Sequence, residues 1–276
     1  MTSRGYLAGG NCAALALFLG LIVGGPAGCG SGSKITTTAG IPGNWEFTGT
    51  NSRGGKIPMG VSLTSTGSAV SGTAWVQMAF PQDCLNGCCG GPFAEFNDSL
   101  TGTLDDKGDL TLGSAVPNGG PVFTMTAMVS GGTMTNGTFS LTGPCPDQGT
   151  ITGVALPTLD GTYAGTVTSV DTGNSYSLST TLQQSAKVNA RGFFDVSGTA
   201  TFSGYPCLTS ATVATPLDMN SGLLGNLFGI TMNGGGGATL SISGTLSQDG
   251  KTISATYLAG GGACHLDLGK GTLTLQ

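Results

Sequence analysis

The chain repeats itself, and that repeat limits its possible folds more than any other feature. Gly43-Asn44-Trp45-Glu46-Phe47-Thr48-Gly49-Thr50 opens one half, and Asp160-Gly161-Thr162-Tyr163-Ala164-Gly165-Thr166 opens another about 118 residues later. Val70-Ser71-Gly72-Thr73-Ala74 is matched by Val196-Ser197-Gly198-Thr199-Ala200, and a cysteine follows in each half, Cys84 and Cys207. Each half then closes on a strand, a small-residue turn, a second cysteine and a last strand. In the first half these are Gly137-Thr138-Phe139, Cys145 and Gly149-Thr150-Ile151-Thr152; in the second, Ala255-Thr256-Tyr257, Cys264 and Gly271-Thr272-Leu273-Thr274. Both halves draw on a poor alphabet of Gly, Thr, Ser and Leu, so the shared order of the cysteines is what marks them as copies of one fold. The expected domains are 43–156 and 160–276, joined near Leu156-Pro157-Thr158-Leu159.

The local pattern is that of strands. The 51 glycines among 276 residues follow no collagen period and sit between alternating Thr, Ser, Val and Leu, which favours many short strands and tight turns. Strands are expected near 44–50, 57–65, 68–79, 95–104, 109–113, 121–130, 133–142 and 149–155, and then near 161–169, 174–184, 192–204, 209–215, 227–233, 238–246, 251–259 and 264–275. Asn136-Gly137 reads as a two-residue turn, while Asp105-Asp106-Lys107-Gly108 and Ser247-Gln248-Asp249-Gly250 suit type I turns ending in a left-handed glycine. Leu223 to Phe228 could supply one helical turn. The fold class is therefore all-β: two tandem antiparallel meander barrels of about eight strands each, with β-sandwiches as the alternative.

Gly43-Asn44-Trp45 on the first strand resembles the Gly-x-Trp opening of lipocalin-like and avidin-like barrels, with Gly161-Thr162-Tyr163 as the corresponding triplet. The resemblance implies that Trp45, and Tyr163 in its copy, pack across a barrel floor. A binding barrel encloses an apolar pocket of several hundred cubic ångström, whose lining would include Trp45, Phe47, Trp75, Phe96 and Phe123. A spacer has a filled core instead.

The N-terminus supplies an address. Behind Arg4, the run from Ala13 to Cys29 has the anatomy of an export signal and is shorter than the roughly 20 residues of a spanning helix. Pro26-Ala27-Gly28-Cys29 resembles the lipobox of bacterial lipoproteins, which implies cleavage after residue 28 and a lipid on Cys29; Pro26 departs from the aliphatic residue usual there. Residues 29–42 then read as a Gly/Ser/Thr-rich tether. Gly30, where inner-membrane lipoproteins often carry Asp, favours the outer membrane or cell surface; the alternative is a soluble secreted protein.

Export makes the remaining cysteines disulfide candidates: Cys84, Cys88, Cys89, Cys145, Cys207 and Cys264. The duplication pairs Cys207 with Cys264, and Cys145 with one of Cys84, Cys88 or Cys89. A zinc site is disfavoured because the only histidine, His265, falls in the other half from the cysteine cluster. Asp105, Asp106 and Asp109 lack the ligand spacing of an EF-hand. No serine motif or carboxylate pair accompanies His265, so no enzyme and no cofactor is expected. Charged residues are 8 % of the chain, 14 acidic against 9 basic, with no basic run for nucleic acid. Two functions stay open: a membrane-tethered binding module for a small apolar ligand, a glycan or an envelope protein, and a structural or adhesive spacer.

Overall fold

The structure, a computed structural model, describes residues 40–79, 93–114, 122–143, 146–212 and 222–276, with the backbone alone for 76–79 and 93–98. The signal segment, Pro26, Cys29, nearly all of the tether, and Cys84, Cys88, Cys89 and Cys145 lie outside the described residues.

Eight antiparallel strands form the first barrel: β1 (Gly43–Asn51), β2 (Lys56–Thr66), β3 (Ala69–Ala79), β4 (Phe93–Leu104), β5 (Asp109–Ser114), β6 (Val122–Ser130), β7 (Thr133–Thr142) and β8 (Asp147–Ala155). Each pairs with its predecessor, and β8 returns to β1 with Trp45 opposite Ala155 and Thr50 opposite Thr150, so the sheet closes. The second barrel comprises β9 (Asp160–Ser169), β10 (Ser175–Val188), β11 (Phe194–Ser203), β12 (Ser210–Thr212), β13 (Gly222–Leu224), β14 (Leu227–Gly234), β15 (Thr239–Leu246), β16 (Thr252–Gly261) and β17 (Cys264–Leu275). Strands β12 and β13 both lie between β11 and β14, so they are two pieces of one strand position. Pairing of β17 with β9 completes a second closed barrel of eight positions.

Alternation decides which way each side chain points. On β6, Phe123, Met125, Ala127 and Val129 are buried while Thr124 and Thr126 face water; on β16, Ile253, Ala255, Tyr257 and Ala259 are buried. The outward rows are hydroxyl-rich. Thr103, Thr111, Thr126, Thr138, Thr150 and Thr50 are successive cross-strand neighbours from β4 round to β1. Such Thr–Thr pairs stabilise a sheet locally, and Thr126 and Thr138 share a hydrogen bond of 3.1 Å. This parity is opposite to that of a lipid-facing barrel, whose apolar band points outward.

The two copies share one piece of packing geometry. Phe139 pairs with Gly149 across β7 and β8, and Tyr257 pairs with Gly269 across β16 and β17. In each pair the aromatic ring lies over the glycine, and a Cβ added there would meet both the ring and a carbonyl of the opening strand, Thr50 O or Thr168 O. The structural counterpart of Gly149 is thus Gly269, two residues before the Gly271 that sequence matching selects.

Other local expectations fare differently. The Asp105 and Ser247 turns form as expected, with Gly108 N donating to Asp105 O at 3.1 Å and Gly250 N to Ser247 O at 2.9 Å. Asn136-Gly137 is not a turn. Asn136, at φ 53°, makes a bulge inside β7, where the pairing with β8 shifts between Met134 and Gly137; Gly131 and Gly132 turn the chain instead. A left-handed Asn serves a bulge as well as a hairpin, and only the register tells them apart. Leu223 to Phe228 is a tight β13–β14 hairpin, not a helical turn.

The expected Cys207–Cys264 disulfide is present, with Cα atoms 5.4 Å apart, and ties the β11–β12 connection to the start of β17. Near it Phe202 and Tyr205 stack at 4.6 Å, Tyr257 packs edge-on to Phe202, and the buried Asp267 carboxylate accepts from Ser169 Oγ at 2.6 Å and Tyr257 Oη at 2.7 Å.

Burial, and then the Asp267 carboxylate, push the Tyr257 and Tyr205 phenols up; burial does the same to Tyr163. A raised phenol stays neutral in the fold while its unfolded counterpart ionises near pH ~10. Stability from these groups is therefore complete below that pH and lost as pH rises above it. No tyrosine occurs in 43–155. Alkaline titration followed by phenolate absorbance and tryptophan fluorescence should therefore unfold the second barrel before the first.

Candidate functional site

The strands that open the first barrel use both faces. Trp45, Phe47, Met59, Val61 and Ala74 point inward, so Asn44, Glu46, Gly60, Thr73 and Trp75 point out, and the second barrel covers them. Asn44 is the clasp. Its Nδ2 donates to Gly225 O at 2.8 Å, and Gly225 N donates to its Oδ1 at 2.6 Å, across 181 residues of sequence. Beside it Asn226 Nδ2 donates to Glu46 Oε1 at 3.0 Å.

The clasp requires two backbones in near contact. A Cβ on Gly60 would lie 2.5 Å from Leu224 O, and one on Gly225 would strike the Gly60 Cα. Only glycine fits either place.

A turn in the second barrel completes the junction. Asn189 Oδ1 accepts from Arg191 N at 2.9 Å and Phe193 N at 3.2 Å, which holds Phe193 with its ring edge-to-face against Trp75, centroids 5.1 Å apart. The indole N–H of Trp75 is buried and finds no acceptor among the described residues; the same is true of the buried Ser62 hydroxyl.

A groove of about 700 Å³ runs from this junction over the outer face of β14–β17. Trp75, Phe193, Leu224 and Leu227 stand at one end, and Leu258 and Leu268, paired across β16 and β17, at the other. Between them the surface carries Thr231, Ser241, Ser243, Thr245 and Thr256, and among the described residues none that lines the groove is charged. A second concavity of about 470 Å³ lies on the outer face of the first barrel and is lined largely by hydroxyls, among them Thr111, Thr124, Thr126, Thr138 and Ser140.

Among the described residues, those expected to line an internal pocket do not meet around one. Trp45, Phe47 and Phe123 are built into the first barrel's core. Trp45 Nε1 donates to Ile41 O at 2.7 Å, its ring stands edge-on to Phe47 at 6.2 Å, and Phe123 stacks on Phe139 at 6.3 Å. Tyr163 is likewise a core residue, its hydroxyl donating to Gly250 O at 2.8 Å. The side chain of Phe96 lies outside the described residues. Trp75 is the correction. It follows the inward Val70 and Ala74 at the opposite parity, so it leaves its own barrel and lines the groove.

Asn44, Gly60, Phe193 and Gly225 escaped the sequence reading. The available signal was the mismatch between the copies: Asn44 corresponds to Thr162, which merely shares a local hydrogen bond with Thr181 at 2.9 Å. Asp105 caps its own turn, accepting from Lys107 N at 2.8 Å and Asp109 N at 2.9 Å, and these backbone bonds hold its pKa below the ordinary value. His265 is exposed at the start of β17. Among the described residues no group of three or more His, Cys, Asp or Glu could hold a metal ion.

Asn44→Ala should destabilise the docked pair by about 2 kcal/mol, because it leaves two buried backbone groups of Gly225 unpaired. Red-shifted Trp75 emission and faster proteolysis of 222–227, with each barrel still folded, are the expected signs. Unchanged emission would mean that the clasp does not hold the junction.

No protein-family model matches the chain, and no curated protein does. The solved structures that resemble it at low similarity include these two. One is described as a "putative outer membrane protein" from Bacteroides fragilis, 12 % identical over 86 % of this chain and 98 % of that one, with a TM-score of 0.25. The other is kievitone hydratase from Nectria haematococca, 10 % identical over 85 % of this chain and 89 % of that one, with a TM-score of 0.26. At such scores neither likeness carries an argument about function.

Proposed function

We propose that the protein is exported, held at the outer membrane or cell surface by lipid on Cys29, and binds a ligand without transforming it, in the groove at the barrel junction. The observation that carries the binding part is the groove itself: apolar side chains at both ends, with hydroxyls and glycines on the surface between them. Leu227, Leu258 and Leu268 are 38 %, 41 % and 43 % exposed, and aliphatic side chains left in water around a concavity favour a partner that covers them. The address rests on the lipobox-like Pro26-Ala27-Gly28-Cys29. The packed core around Trp45 favours the spacer reading over a ligand inside the barrel.

Two measurements separate these parts. Intact-mass analysis of protein from native membranes should give a mature N-terminus at Cys29 carrying acyl mass, and Cys29→Ser should release the protein from the membrane; an unmodified N-terminus elsewhere sinks the anchor. Nile red, an uncharged apolar dye, should brighten on binding and lose most of that signal with Leu258→Lys. A dye signal indifferent to that change would return the protein to the spacer class.

A further inference from the structure

We infer that the ligand of the junction groove is an uncharged, elongated molecule with apolar ends and a hydrogen-bonding middle. The inference rests on the binding reading above and names its ligand class. Strand register sets out the pattern. Leu227 on β14 faces Thr245 on β15, which faces Ser254 on β16, and Leu258 lies four residues farther along β16. With strands about 4.8 Å apart and alternate residues about 6.7 Å apart, the two leucines are separated by roughly 16 Å.

Trp75 and Phe193 flank the Leu227 end, and Leu268 doubles the Leu258 end. Ser243 lies on the diagonal between the two ends, opposite Gly229 on one side and Thr256 on the other. The groove thus reads, end to end, as apolar, hydroxyl and glycine, apolar.

Charge decides the class. Among the described residues the lining holds no Lys, Arg, His, Asp or Glu, so a charged group laid along them would lose water and gain no counter-charge from them. An uncharged acceptor loses far less and finds hydroxyl donors in the middle of the groove. The Trp75 N–H on the groove wall is a further donor with no acceptor among the described residues. A sugar chain, polar along its whole length, would leave both leucine ends covered by hydroxyls.

Titration calorimetry of the full mature protein with three probes tests this. N-Hexylhexanamide has an uncharged amide between two apolar tails, dihexylammonium puts a cation in the same place, and cellotetraose is uncharged but polar throughout. The amide should bind, the cation at least about tenfold more weakly, and the sugar not measurably. Ser243→Trp, at an exposed floor position, should abolish amide binding with the far-UV circular dichroism unchanged. Should that variant misfold, Leu268→Asn should weaken the amide about fivefold.

Equal or tighter binding of the cation or the sugar overturns the ligand class and leaves the groove standing. Amide binding that both variants leave intact lies elsewhere and overturns the groove as well. No binding by any probe overturns the inferred class.

Discussion

Replacing Cys207 and Cys264 together by serine should lower the stability of the second barrel by about 4 kcal/mol. The bridge closes a separation of 57 residues, and in the chain-entropy model a loop of that length removes about this much freedom from the unfolded chain. It is also well placed to matter in the fold. It joins the β11–β12 connection to the first residue of β17, beside the Phe202–Tyr205 stack and the Asp267 hydrogen bonds, so that losing it frees one end of an eight-position sheet. The loss should be confined to one barrel. Near-ultraviolet tyrosine dichroism should melt earlier, since every tyrosine after the signal segment lies in the second barrel, while Trp45 fluorescence keeps its transition. A double variant as stable as the parent would show that the hydrogen-bonded cluster holds this end without the bridge.

Trp45→Ala should cost the first barrel about 3–5 kcal/mol, the range for deleting a large aromatic side chain from a packed core. Trp45 is fully buried, and its backbone pairs with Val61 on β2 and Ala155 on β8, so it stands on the strand at which the barrel closes. Removal opens a cavity there and strips the Ile41 carbonyl of its donor, which loosens the lead-in to β1 as well. Tyr163→Phe, at the corresponding place in the second barrel, keeps the ring and loses only the hydroxyl bond to Gly250 O, so it should cost about 1 kcal/mol. Chemical denaturation read by Trp75 emission for the first variant and by tyrosine dichroism for the second checks both. Similar losses for the two would contradict the view that volume, not the polar tip, is what these residues contribute.

Much of this was legible along the chain because it is local. Alternation places Phe123, Met125, Ala127 and Val129 on one face of β6 wherever that strand ends up, and Asp105 caps its turn through bonds to residues two and four positions away. The Cys207–Cys264 pair followed from the repeat. Asn136-Gly137 reads as a turn along the chain because a left-handed Asn serves a hairpin and a bulge equally well. Trp75 differs for another reason: its parity relative to Ala74 is readable, but residue type alone counts a large aromatic among the lining of an internal pocket. What lies outside a strand depends on what covers it.

The amino-acid sequence by itself determined that the chain makes strands, roughly where they begin and end, which face of each is apolar, and that the whole is built twice. Only the tertiary structure decided that each sheet closes, because closure is a pairing of first and last strands, Trp45 with Ala155 and Tyr163 with Leu275, that no local signal specifies. It also decided that the two barrels dock. Asn44 meets Gly225 across 181 residues, and Gly60 meets Gly225 so closely that no side chain fits at either. Strand propensity and parity act between neighbours, whereas a groove between two barrels exists only once two distant surfaces have met.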